Sequence, residues 1–451
     1  MEVVVNHLQP GPDGHAAVYT KHLKGIGMEH PREVTVLVVG GGGRCHAIVD
    51  ALSRSPQVGK IYCAPGNAGI AAQAECVPLK DTQVEQLRDF ALEKGVDLTV
   101  VGPEVALAAG ITDAFTAAGL RIFGPTKAAA VIESSKDFAK QLMAKYNVPT
   151  AAYRTFEDYN EALEYVSKGP FPVVLKYDGL AAGKGVVIPE TLEEADHTLR
   201  DMLLDDKFGK GKVVVEEFLT GPEFSFMCFV DGERVWPMAL SQDHKRAYER
   251  DKGPNTGGMG AYSPLPFITE EDREFAMEHI MKPVASAMVK EGRPFKGVLY
   301  GGLMKTPSGI KVIEFNCRFG DPETEVVLPL LETDIYDIFS AVADGSAMPE
   351  IKWEQKSSMG FVMASKGYPG SYEKGFPIEG LEDALSDPEV RIYHMGTAVK
   401  DGKTVTSGGR VLMVIGSGDT LLQARDRALT AVDKIRCDNL FWRRDIGWRV
   451  L

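Results

Sequence analysis

VTVLVVGGGGRCHA, residues 34–47, is an apolar run of six residues followed by four glycines and the start of a helical pattern. A short strand that turns through glycines into a helix opens a parallel α/β sheet, and the helix N-terminus suits an anion. Three more apolar runs follow: KIYCA (60–64), DLTVV (97–101) and RIFG (121–124), with a helix at Val84 to Lys94 between two of them. Each run ends in turn chemistry, PGNAG at 65–69, GPE at 102–104 and GPT at 124–126. Loops at the carboxyl ends of parallel strands are neighbours, so these turns predict one crevice.

Whose phosphate the glycines seat is the next question. The dinucleotide fingerprint needs a third glycine where this chain has Cys45, and an acidic residue after the second strand, where the chain reads Tyr62-Cys63-Ala64-Pro65. A nicotinamide cofactor is therefore disfavoured. A plain turn without a ligand stays open, although four glycines carry an entropic cost that such a turn need not incur. An anion at the helix N-terminus is the better account.

The chemistry is concentrated downstream. In KVIEFNCRFGDPE (311–323), Glu314, Asn316 and Arg318 recur at a spacing of two, which places them on one strand face. A carboxylate and a carboxamide are hard oxygen donors suited to magnesium, and an arginine beside them holds phosphate oxygens. The intervening Ile313, Phe315, Cys317 and Phe319 are apolar and predict a buried opposite face. PFPVVLKYDGLAAGKGVVI (170–188) reads as strand, glycine-rich loop, strand, with Lys176 at the strand end and Gly179, Gly183, Lys184 and Gly185 in a phosphate-cradling loop. The spacing is not that of a Walker P-loop. VVVEEFLTGPEFSFMCFV (213–230) reads as two strands joined by a short turn, with Glu216, Glu217, Phe218 and Leu219 as a connector for a base and Glu223 for ribose hydroxyls. QDHKRAYERDKGPNTGGMGAYSP (242–264) reads as a long functional loop in which Asp243, His244, Lys245, Asn255, Thr256, Gly257 and Gly258 suit a carboxylate or phosphate.

Bulk properties narrow the partners. The chain has 451 residues and a net charge of -13, which argues against nucleic acid. Its six cysteines form no C-x-x-C pair, which fits a reducing, cytoplasmic setting. No apolar run approaches the ~18 residues of a membrane span. Residues 1–33 lack a secretory pattern and read as a mobile N-terminal extension.

The order GGGG, PGNAG, GPE, DGLAAGKGV, EEFL-x-G-x-E, QDHKR…KGPNTGGMGAYSP and IEFNCRFGDPE resembles the phosphoribosylamine–glycine ligase family, from about Val34 to the terminal RRDIGWR. The resemblance implies a Rossmann-like N-terminal domain (34–133) and an ATP-grasp domain (134–350) with a lid subdomain at about 150–213. It also implies a small C-terminal α+β domain (351–451). The activity implied is ATP-dependent joining of glycine to 5-phosphoribosylamine, with Mg2+ or Mn2+ and with a monomer or weak homo-oligomer as the working form. The rival readings are an ATP-grasp ligase with another carboxylate or amine, and a silent nucleotide-binding relative.

By the same resemblance, Glu314 and Asn316 hold the metal, and Arg318, Lys245 and Asp243 are catalytic. Lys136, Lys176, the Gly179–Gly185 lid and the Glu216–Glu223 segment bind ATP. Gly41, Gly42, Gly43, Arg44, Pro65, Gly66, Asn67, Gly102, Pro103 and Glu104 contact substrate, together with His244, Asn255 to Gly258, Asp321 and Glu323. The chain departs from the family pattern at Gly41, Cys45 and Ser407, where Asn, Glu and Asn are usual.

Overall fold

The computed structural model describes residues 33–180, 185–205, 207 and 209–451, and the backbone of 4–10 and 16–22. Residues 1–33 form one unit and 34–451 another. In the first, the strands Val4–Pro10 and Ala16–His22 pair antiparallel. The remainder of the expected extension lies outside the described residues.

The second unit opens with a five-stranded parallel sheet in the order Glu75–Cys76, Val58–Pro65, Val34–Gly40, Leu98–Val101, Ile122–Phe123. The central strand is almost wholly buried because helices cover both faces, which explains its unbroken apolar run. The helix Val84–Lys94 has its expected bounds and ends at Gly95 in the left-handed region. Gly40 leaves the first strand at φ +127°, a conformation open to glycine but strained for other residues, and leads into the helix Gly43–Ser53.

Two antiparallel sheets follow. One runs Val186–Val187, Val173–Tyr177, Val213–Glu217, Tyr153–Phe156, with the helices Tyr159–Ser167 and Leu192–Leu203 packed on it. The other runs Arg234–Pro237, Glu223–Asp231, Lys296–Thr306, Gly309–Asn316. The strands Val213–Glu217 and Glu223–Asp231 are consecutive yet belong to different sheets, so the expected turn is a bridge between sheets.

The last sheet contains Ser357–Ser365, Arg410–Gly418, Val390–His394 and Leu440–Phe441, covered by the helix Leu421–Val432. Gln242–Asp243 and Gly260–Ser263 complete it. The long loop is thus not structureless: its two ends are strands of the C-terminal sheet, and Arg246–Tyr248 pairs with Lys252–Asn255 between them. Pairing of Gly260–Ser263 with Ser357–Ser365 ties the long loop at 242–264 to the C-terminal segment.

Candidate active site

A cavity of about 950 Å3 lies where the two antiparallel sheets, the parallel domain and the C-terminal sheet converge. Its floor is the strand Gly309–Asn316. A register shift at Gly302/Leu303 leaves Ile313 without a cross-strand partner: Val312 faces Leu303, and Glu314 faces Gly302. Before the bulge Ile310 and Val312 enter the core; after it Phe315 and Cys317 do. One extra residue therefore turns Glu314 and Asn316 toward the cavity. The expectation that Ile313 buries the opposite face is corrected, because Ile313 lines the cavity and its carbonyl accepts from Lys176 Nζ at 2.9 Å.

Cations crowd this floor. The helix Lys136–Lys145 starts at Ser135, whose hydroxyl caps Phe138 N, and Asp178 accepts from Asp137 N at 3.1 Å. That double anchoring presents Lys136 at the cavity, with Nζ on the Gly179 carbonyl at 2.9 Å. Glu216 is buried and holds Lys140 at 2.9 Å and Lys176 at 3.0 Å, one on each carboxylate oxygen. Burial pulls the Lys140 ammonium down to about 8, against the opposing attraction of Glu216. Burial raises the Glu314 carboxyl, but Lys245, Lys176, Lys136 and Arg318 together outweigh it and keep the group ionised. Lys136, Lys140 and Lys176 converge here around Glu216 and Glu314, an arrangement suited to phosphate oxygens.

The second wall is a chain of alternating charges. Arg318 Nε lies 3.1 Å from Glu104 and its Nη2 lies 2.9 Å from Glu133. Arg44 reaches the same Glu104 oxygen at 3.4 Å and donates to the Phe319 carbonyl at 2.9 Å. Burial opposes ionisation of Glu104, yet Arg318 and Arg44 hold its carboxyl down to about 2. Asp321 accepts from Arg44 N at 3.3 Å and pairs with Arg410 at 3.0 Å. On the third wall Lys245 pairs with Glu223 at 2.9 Å, and burial raises Asp243. Glu323 accepts from Tyr300 at 2.8 Å and Ser225 at 3.1 Å.

Family models for the N, ATP-grasp (A) and C domains of phosphoribosylglycinamide synthetase match residues 34–133, 134–324 and 358–449. The chain belongs to this family. It is 51% identical over 415 residues, 91% of this chain and 99% of the relative, to the phosphoribosylamine–glycine ligase of Caldanaerobacter subterraneus. It is 47% identical over 424 residues, 93% of this chain and 98% of the relative, to that of Pasteurella multocida. The crystal structure of phosphoribosylamine–glycine ligase from Thermotoga maritima superposes with a TM-score of 0.79 at 33% identity, covering 92% of this chain and 100% of the other. An N5-carboxyaminoimidazole synthase from Aspergillus clavatus, solved with ADP and an aminoimidazole ribonucleotide, shares the fold at a TM-score of 0.65 and 16% identity, over 89% and 98% of the chains.

In this member of the family, the cavity gathers most of the residues that the sequence points to. Lys136, Lys176, Gly179, Gly185, Glu216 to Leu219, Glu223, Asp243, His244, Lys245, Asn255, Thr256, Gly257, Glu314, Asn316, Arg318, Asp321 and Glu323 line it, with Arg44 and Glu104. Gly183 and Lys184 lie outside the described residues. Gly41, Gly42, Gly43, Pro65, Gly66, Gly102, Pro103 and Gly258 are not on its lining. His244 reaches the lining with its imidazole committed elsewhere: Nε2 accepts from Gly447 N at 3.0 Å, and burial holds the ring neutral.

Asn67 is the clearest departure from its expected role. Its Nδ2 donates to Gly41 O at 2.9 Å and His394 O at 2.8 Å, and its Oδ1 accepts from Gly69 N and Ile70 N. The carboxamide has no hydrogen bond left for a substrate. Cys45 is buried beneath the glycines, where a Cβ on either Gly40 or Gly102 would lie 2.4 Å from its sulfur, and burial pushes the thiol up to about 12.

Lys140, Glu133, Tyr300, Arg410 and Arg449 also line the cavity and were not singled out. A helical spacing of four from Lys136 was the available signal for Lys140. Arg410 and Arg449 both come from the C-terminal segment: long-range strand pairing brings Arg410 here, and Arg449 pairs with Asp251 between the two strand ends of the long loop.

Proposed function

We propose that the protein joins glycine to 5-phosphoribosylamine with ATP, giving glycinamide ribonucleotide, ADP and phosphate, a step of purine synthesis. The matched family domains carry the assignment, and the bulge that presents Glu314 and Asn316 beneath a lysine-rich cavity agrees with it.

A carboxylate is a poor electrophile, so glycine must be activated before the amine can attack. Lys136, Lys140 and Lys176 would neutralise the ATP phosphates. The γ-phosphoryl group passes to the glycine carboxylate and ADP leaves. The ribosylamine nitrogen then attacks the acyl carbon, the bond to phosphate breaks, and the nitrogen releases a proton. Arg318 would stabilise charge on the acyl phosphate, and Lys245 would assist. Glu223 is free to exchange Lys245 for ribose hydroxyls. Arg44, Arg410 and the glycine-rich loop at 40–43 would receive the phosphate of the amine substrate.

The donor set fits a divalent cation. Glu314 is held ionised, Asn316 follows it on the same strand face, and neither is bonded to a neighbouring carboxylate. Among the described residues no cluster of three His, Cys, Asp or Glu side chains forms a complete metal cage. A carboxylate and a carboxamide oxygen are hard donors of the kind magnesium takes from a protein. Held by Glu314 and Asn316, Mg2+ or Mn2+ would supply charge neutralisation for the ATP phosphates.

The protein would work in the cytoplasm as a monomer or weak homo-oligomer. Among the described residues no helix is long and apolar enough to cross a membrane. The test is ADP release with 5-phosphoribosylamine and glycine, alanine or serine in turn. Turnover confined to glycine supports the assignment. Equal turnover of alanine favours a ligase with another carboxylate, and no turnover favours a silent relative.

A further inference from the structure

Four consecutive glycines leave residues 40–43 without side chains to restrict their peptide planes, until Gly43 enters the helix Gly43–Ser53. Peptide planes flanked by glycines rotate at little steric cost, so something must fix which way the amides point. Steric contact accounts for part of it: a Cβ on Gly41 would lie 2.6 Å from the carbonyl oxygen of Gly66. Contact alone does not orient a hydrogen-bonding group.

We propose that Asn67 is the positioning residue that sets the peptide between Gly41 and Gly42 for the phosphate of the amine substrate, using the C-terminal domain as its anchor. The inference rests on the function proposed above. In a trans peptide the C=O and the following N–H point in opposite directions. Asn67 Nδ2 holds the Gly41 carbonyl at 2.9 Å, so the Gly42 N–H is turned to the far side of the plane. Asp321 Oδ2 lies 3.5 Å from a Cβ built on Gly42, accepts from Arg44 N at 3.3 Å and binds Arg410 of the cavity wall, so the glycine loop sits beside both arginines.

Asn67 can hold that carbonyl only if it is itself held. Its Oδ1 is fixed by the amides of Gly69 and Ile70, and its second Nδ2 hydrogen goes to His394 O at 2.8 Å. His394 belongs to the C-terminal strand Val390–His394. The amide of His394 donates to His46 Nδ1 at 2.8 Å, and His46 lies on the helix that the glycine loop opens. The neighbouring Tyr393 hydroxyl donates to Asp50 of the same helix at 3.0 Å. A closed circuit results, running from loop to Asn67, to His394, to His46, and back along the helix to the loop. Gly69 completes the fit, since a Cβ there would lie 2.3 Å from the His394 ring.

The experiment compares steady-state kinetics of the full chain and its variants for all three substrates. Asn67→Asp keeps the size and the acceptor but turns an oxygen toward two carbonyls. It should raise the KM for 5-phosphoribosylamine about tenfold or more, the scale of a misdirected hydrogen bond in a substrate site. The KM values for ATP and glycine and kcat should stay within about twofold. His46→Asn retains an acceptor near the position of Nδ1 and should leave the amine KM close to native, whereas His46→Leu should raise it as Asn67→Asp does. An unchanged amine KM in folded Asn67→Asp overturns the proposal, as does a parallel change in all three KM values. If Asn67→Asp does not fold, the contrast between the two His46 variants decides. A native chain that forms no ADP with glycine and the amine sinks the proposed function itself, a different outcome from an active native chain with indifferent variants.

Discussion

Arg318 and Glu133 form a buried ion pair, 2.9 Å from Nη2 to Oε1, inside the cavity that holds the proposed acyl phosphate site. The other oxygen of Glu133 accepts the Cys317 amide at 2.7 Å, so one carboxylate fixes both the arginine and the backbone that carries it. Glu133→Gln keeps an acceptor for the amide and removes the charge. It is expected to lower kcat about tenfold, while Arg318→Lys, which loses the planar fork, lowers it about a hundredfold or more. Initial rates of ADP release check both. Native rates in both variants would remove Arg318 from the chemistry.

Glu314→Ala is expected to abolish glycine-dependent ADP formation without unfolding the chain. Lys136, Lys176 and Lys245 each keep another polar partner, in the Gly179 carbonyl, Glu216 and Glu223. Chelating divalent cations should stop the native enzyme as well, and added Mg2+ should restore it. Circular dichroism and thermal midpoint monitor the fold, and residual activity in the variant would show that the metal lies elsewhere.

Acid should loosen the junction between the first domain and the C-terminal strand. His46 is driven down to about 3 from an ordinary value of 6.5, first by burial and then by His394, with Asp50 and Gln73 opposing; burial lowers His394 to about 4. The unfolded chain binds more protons than the folded one below pH 6.5, so stability is full above that value and declines as pH falls toward the folded values. Thermal midpoints should drop between pH 7 and 5, and His46→Asn should flatten part of that drop. Parallel profiles for the native chain and the variant would refute the assignment.

Glu325 is fully buried, and neither carboxylate oxygen meets a conventional donor. Burial raises its carboxyl well above the ordinary range, and Asp321 adds to the effect. We expect a neutral acid that shares its proton with Asp321. Glu325→Gln should therefore keep activity and thermal midpoint near native. Glu325→Ala should lower the midpoint by several degrees, because it leaves a cavity beside Gly43. A large loss with Gln would show that the residue works as a carboxylate.

Much of the fold was legible because local rules agreed with the tertiary result. The strand of Val34 and the helix Val84–Lys94 follow from apolar periodicity and turn chemistry. The spacing of Glu314, Asn316 and Arg318 identified the floor of the cavity. The parity of that strand was only partly legible: nothing at Ile313 announces a bulge, since a bulge is a relation between two strands. The family resemblance places Asn67 on the substrate, whereas its side-chain hydrogen bonds go to Gly41 and to His394, 327 residues away. Lys140 went unmarked because an exposed and a buried lysine look alike until Glu216 is placed beside it.

By itself the sequence determined which chemistry this protein carries, because the type and spacing of donor residues set what can bind ATP, metal and phosphate. It also determined the α/β beginning and the α+β remainder, since hydrophobic period and turn residues act over a few positions. Only the tertiary structure decided which face of the strand Gly309–Asn316 meets the cavity, which carboxylates already hold a cation, and how the C-terminal segment meets the glycine loop. Those are matters of contact between distant segments, and packing, not local propensity, sets them.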